Sequence, residues 1–139
     1  MDDETGTSFK LVNTDGEIIT FTTDPTKNFG DTVTETASPF TVNTRDISGG
    51  SEVRKATQAF WISCKAAIDA GVLDMTINPT IVDPVAAGQE YFTLTQTTAG
   101  TAGNTTITLI TGVTADGETN FTGGESIANL TNLGVINLT

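Results

Sequence analysis

The chain has 139 residues, 37% hydrophobic and 6% aromatic, with 6 basic against 17 acidic side chains and a net charge of −11. That length suits one domain with a real core and is too short for two comfortable ones. The acidity excludes wrapping of nucleic acid, which needs clustered cations, and argues equally against anionic membrane surfaces.

The plain role of the charge is solubility; its sharper role is a match to a basic partner surface or to divalent cations. Twenty-nine residues are threonine, whose β-branching suits half-exposed pleated surfaces and disfavours helix. The single cysteine, Cys64, leaves no intrachain disulfide, which fits assembly in a reducing cytosol. No apolar run approaches the roughly 18 residues of a membrane span. The acidic start, MDDETGTS, lacks the regions of a secretory signal. Synthesis in the cytoplasm is the expectation.

Residues 1–7 read as a flexible lead-in. Phe9 and Leu11, then Ile18, Ile19 and Phe21, flank Asn13-Thr14-Asp15-Gly16, a hairpin pattern. Residues 24–31 read as a loop. Residues 32–47 are Thr-rich with Val33, Phe40, Val42 and Ile47, and Pro39 requires any strand there to lie at an edge or begin after it. Ser51 is a candidate N-cap, and Glu52 places negative charge in the first turn of a helix from about Glu52 to Ala70. Val53, Ala56, Phe60, Cys64, Ala67 and Ile68 make its apolar stripe, Trp61 and Ile62 widen it, and Gly71 stands where a left-handed terminating residue belongs. Phe60 and Trp61 are the heaviest core side chains.

Leu73, Met75 and Ile77 alternate into a strand. Pro79 and Pro84 bracket a connector that ends at Ala86-Ala87-Gly88. From Tyr91 to Leu109 the chain reads strand, Gly-rich turn, strand. Phe92 and Leu94 face one way and Thr93 and Thr95 the other, while Gly100, Gly103 and Asn104 tolerate the positive φ of a reversal. Ile107 and Leu109 continue the apolar face. Thr114–Asn120 reads as a polar turn. The end, 127–139, alternates loosely through Ile127, Leu130, Leu133, Val135, Ile136 and Leu138. It either joins the sheet or docks on another chain.

Residue types that carry chemistry are scarce. The absence of histidine removes Ser-His-Asp and Cys-His pairings and most zinc and iron sites. Cys64 falls on the apolar stripe, where a buried structural thiol is expected. Asp15 with Glu17, and Asp116 with Glu118, sit at turns and read as solvated loops. The alternation of Asp116, Glu118 and Asn120 resembles calcium ligands but lacks the full twelve-residue loop spacing. Gly49-Gly50-Ser51 lacks the lysine and spacing of a phosphate loop. The Asn-X-Thr sequons at Asn104, Asn120, Asn129 and Asn137 are expected by chance in so Thr-rich a chain. No catalytic residue, cofactor or metal is expected, and the chain reads as a non-enzyme.

The order of hairpin, Thr-rich connector, AFWISCKAAIDAG helix, LTQTTAGTAGNTTIT and FTGG resembles a small α/β module of structural proteins of tailed bacteriophages, especially marine ones. The resemblance spans roughly residues 8–125 and rests on Ala66, Ala67, Ile68, Thr93 to Gly103, Asn104, Ile107 and Phe121 to Gly124, with Gly100, Gly103, Gly123 and Gly124 as its turn glycines. It implies a virion structural role. A short chain of this kind is most similar to a capsid decoration, or cement, protein on the head surface, with the major capsid protein and further copies of itself as partners. A tail, neck or fibre component is the alternative within the virion. A surface module binding host glycans through its Thr-rich faces, and through Trp61 if exposed, is the alternative outside it. Attachment to the capsid is expected through the N-terminal segment to about Ser8 and the tail 127–139.

The expected fold is α+β: one helix across one twisted antiparallel sheet of about five to seven strands. The domain spans 8–126, with segment 1–7 before it and a strand or docking arm over 127–139. Phe21, Phe92, Leu94, Ile107 and Leu109 of the sheet would cover Val53, Phe60, Cys64 and Ile68 of the helix.

Overall fold

Alternating apolar and polar residues build most of this molecule, and the side-chain period of two decides which face each strand buries. A computed structural model describes residues 8–47, 52–78, 91–98 and 100–106 in full, and residues 113–115 and 133–138 by their backbone. The fold is α+β. Strands β1 (Ser8–Val12), β2 (Ile18–Asn28) and β3 (Phe40–Arg45) form one sheet in that order. Helix α1 (Glu52–Asp69) follows. Strands β4 (Met75–Asn78), β5 (Tyr91–Gln96), β6 (Val113–Ala115) and β7 (Leu133–Leu138) form a second sheet in the order β4-β5-β7-β6.

The single antiparallel sheet expected from the sequence is therefore corrected in two ways. Among the described residues there are two sheets, and β2 pairs with β3 in parallel. The hairpin of β1 and β2 is as expected, with Phe9 opposite Phe21 and Leu11 opposite Ile19. Residues 24–28, expected in a loop, instead prolong β2. Pro25 is tolerated there because β1 pairs only as far as Thr22, and the β3 register shifts between Asp24 and Asn28. The missing proline N–H so breaks no regular ladder. Strand β3 begins directly after the cis Ser38-Pro39 bond.

The register sets Phe9, Phe21 and Phe40 side by side on the buried face, with ring centroids 4.6 Å and 5.9 Å apart. Phe60 from the helix meets Phe9 at 5.1 Å. Such aromatic neighbours add to their area burial about 0.5–1.5 kcal/mol per pair. The helix lies mainly against β3 and also touches β4, β5 and β7. One cluster of buried side chains then runs from Phe9, Phe21 and Phe40 through Phe60 and Cys64 to Met75, Phe92 and Leu94. Two buried amides tie the sheets together. Asn13 Nδ2 donates to the Val72 carbonyl at 2.8 Å, and Asn13 Oδ1 accepts from the Asp74 N–H at 2.9 Å. Gln96 Nε2 donates to the Val12 carbonyl at 2.9 Å.

The helix ends as the sequence predicts. Gly71 adopts φ +72, its N–H reaches the Ile68 carbonyl and the Val72 N–H reaches that of Ala67. This paired closure satisfies carbonyls that the helix end would otherwise orphan. Ser51, the candidate N-cap, the connector at 79–90, and the turn glycines Gly123 and Gly124 lie outside the described residues.

The expected strand pair around Gly100 is corrected. The strands that flank β5 are β4 and β7, and residues 107–109 of the expected partner strand lie outside the described residues. Residues 101–103 make a short 3-10 turn entered through Gly100 at φ 98. Gly103 and Asn104 do not take positive φ. Ile107 and Leu109 lie outside the described residues. Thr114 and Ala115, expected in a polar turn, belong to β6, and residues 116–120 lie outside the described residues.

Candidate functional site

On α1, residues 61, 62, 65, 66 and 69 follow one another at helical spacing along one flank, beside the buried stripe rather than within it. The buried face is made by Ala56, Thr57, Ala59, Phe60, Ser63, Cys64 and Ala67. Trp61 and Ile68, expected in the core, are only partly buried and pack against its rim. The difference is one of rotation. The helix turns its Ala56–Phe60–Ser63–Ala67 line inward, onto β3, and Trp61 falls to the side.

That flank and the loop following β2 enclose a groove of about 230 Å³ lined by Gly30, Thr32, Val33, Trp61, Ile62, Lys65, Ala66 and Asp69. Trp61, Ile62, Val33 and Ala66 supply apolar wall and floor. At the outer end Lys65 Nζ donates to Asp69 Oδ1 in an i, i+4 ion pair. The Lys65 and Asp69 side chains remain 34% and 61% exposed, so both charges stay wet. The loop is held in place from beneath. Asn43 Nδ2 donates to the Asp31 carbonyl at 3.1 Å, and Lys55 Nζ stands 5.5 Å over the Phe29 ring while also donating to the Asp46 carbonyl.

The last turn of α1 carries an acid, Asp69, and no base. Negative charge at a helix C-terminus opposes the helix dipole and is mildly destabilising. The order Lys then acid along the helix is also the weaker of the two orientations for an ion pair. Neither Lys65 nor Asp69 falls on the apolar stripe read from the sequence. The misplaced acid about two turns beyond a tryptophan on the same flank was the signal that could have marked it.

The remaining sequence candidates are spread apart. Phe60, Cys64, Phe92 and Leu94 are fully buried and serve the core. Burial pushes the Cys64 thiol far above its ordinary pKa, which removes it as a nucleophile at neutral pH. Leu133, Val135, Ile136 and Leu138 lie in β7, between β5 and β6, so the end of the chain joins the sheet; Ile127 and Leu130 lie outside the described residues. Asp15 sits at the hairpin tip and accepts from the Glu17 N–H, an ordinary turn bond. Among the described residues no group of three or more histidine, cysteine, aspartate or glutamate side chains is placed to hold a metal ion. No helix among them is long and apolar enough to cross a membrane.

No family model matches the chain, and neither a curated protein nor a solved structure matches it.

Proposed function

We propose that this chain is a non-enzymatic structural protein of a bacteriophage particle, a decoration protein that binds the outer surface of the head and staples neighbouring major capsid protein subunits. The observation that carries the reading is the run LTQTTAGTAGNTTIT, placed after a helix ending in KAAIDAG. These residues do structural work: Leu94 and Gln96 are buried on β5, Gly100 opens the 3-10 turn, and Ala67 closes the helix end. A motif that specifies a scaffold supports a module reused for its shape.

The mechanism is additive. Several weak contacts per particle hold adjacent subunits against internal pressure, and attachment at more than one point raises avidity. Because Leu133–Leu138 is a strand with neighbours on both sides, truncating the tail would damage the sheet as well as any contact it makes. The discriminating variant therefore deletes residues 1–7, which leaves β1 whole. Purified protein is mixed with undecorated capsid shells and co-sedimented. The full chain is expected to saturate the shells at a fixed ratio, and the deletion variant to fold and remain in the supernatant. A full chain that ignores shells but forms rings or rods by negative-stain microscopy overturns this reading in favour of a tail, neck or fibre component. Full binding by the deletion variant would remove the N-terminal segment from the mechanism.

A further inference from the structure

We propose that the Trp61 groove is a binding site for one neutral pyranose ring of a glycan. The inference goes beyond the capsid role and does not depend on it. The groove holds about 230 Å³, below the roughly 300 Å³ at which sites for drug-sized ligands begin. Space of this size accommodates one sugar ring against the helix flank.

The lining selects the chemistry. A pyranose has an apolar face of axial C–H groups and an equatorial belt of hydroxyls. The partly buried Trp61 lines the groove and contributes apolar indole surface for the first. Lys65 and Asp69 offer the second a donor and an acceptor side by side, and Thr32 adds a hydroxyl on the opposite lip. A vicinal diol matches such a pair: one hydroxyl donates to the carboxylate while its neighbour accepts from the ammonium. The chain's net charge of −11 disfavours acidic sugars, which leaves neutral hexoses and N-acetylhexosamines. Asp69 supplies a separate argument. Its charge works against the helix that carries it, as expected where a local rule gives way to a binding task.

Trp61 is the chain's one tryptophan, so its emission reports on this groove alone. The full chain is titrated with methyl glycosides of glucose, galactose, mannose and N-acetylglucosamine, and then applied to a glycan array. At least one neutral sugar is expected to give a saturable change in tryptophan emission. Asp69→Asn should weaken that response tenfold or more while the thermal midpoint holds or rises, and Thr32→Ala should weaken it less. Capsid co-sedimentation by Asp69→Asn should be unchanged, so loss of sugar binding and loss of the capsid role are read separately. The proposal is overturned if no glycoside or arrayed glycan gives a saturable signal. It is equally overturned if Asp69→Asn binds sugar as tightly as the native chain.

Discussion

Asn13 shows how much a single side chain can carry. In the sequence it is the first residue of an Asn-Thr-Asp-Gly turn, and its local role is legible. Its long-range role is not, because the partners Val72 and Asp74 lie 59 and 61 residues away. Asn13 is 3% exposed and satisfies one carbonyl and one N–H. Asn13→Ala orphans both, and a loss of about 1–3 kcal/mol is expected in urea unfolding, with the hairpin itself retained. Asp24 illustrates a subtler effect. The Thr26 hydroxyl and then the Thr26 N–H hold its carboxyl below the usual aspartate range, against a small opposing effect of burial and with help from Lys27. A carboxyl depressed in the folded state stabilises the fold above its unfolded pKa, and that contribution is lost as pH falls below about 4. Thr26→Val should raise the Asp24 titration midpoint followed by NMR and flatten the stability profile in that acid window. Glu35 behaves alike: burial raises it, but bonds led by that from Thr41 outweigh burial and leave it lowered.

At the scale of the element, α1 is the part the sequence describes best. Its bounds, its acidic first turn and its glycine stop follow from spacing and capping chemistry alone. Gly71 is the sharpest case. A Cβ there would meet nothing within 4 Å, so space is no obstacle and only the left-handed backbone penalises a side chain. Gly71→Ala should cost about 1 kcal/mol, and Gly71→Asn less, because asparagine tolerates that conformation. Three thermal melts decide it; equal midpoints for all three proteins would show that the paired closure contributes nothing. The orientation of the helix was less legible. The sequence draws its stripe through Val53 and Ile68, whereas the structure buries Ala59 and Ser63, and the difference is a small rotation. What fixes it is the packing partner, β3, which the helix sequence does not contain.

For the whole molecule, the second sheet decides stability and constrains function. β7 pairs with β5 over Leu133–Asn137 and, on its other edge, with β6 over Ile136–Leu138, so it is interior to its sheet. Removing residues 133–138 leaves an edge of β5 unpaired, and loss of a cooperative thermal transition by circular dichroism is expected, along with association of the exposed strands. A truncated chain with an unchanged melt would mean that the second sheet stands without β7. The proposed capsid contacts must therefore come from surfaces that leave this sheet intact.

The sequence by itself determined the elements that depend on neighbours along the chain. These are the β1–β2 hairpin, the helix and its stop, and the alternation that buries Phe92 and Leu94 while leaving Thr93 and Thr95 half exposed. A period of two or of 3.6 is local, and it names the face to be buried without naming what covers it. The tertiary structure alone decided the rest: the parallel pairing of β2 with β3, the capture of β5 between β4 and β7, the Asn13 and Gln96 ties, and the turning of Trp61 to the mouth of a groove. Each of these depends on contacts between distant residues, where several strand pairings satisfy the same alternation. The one that forms is the one that closes a single core around Phe9, Phe60 and Phe92.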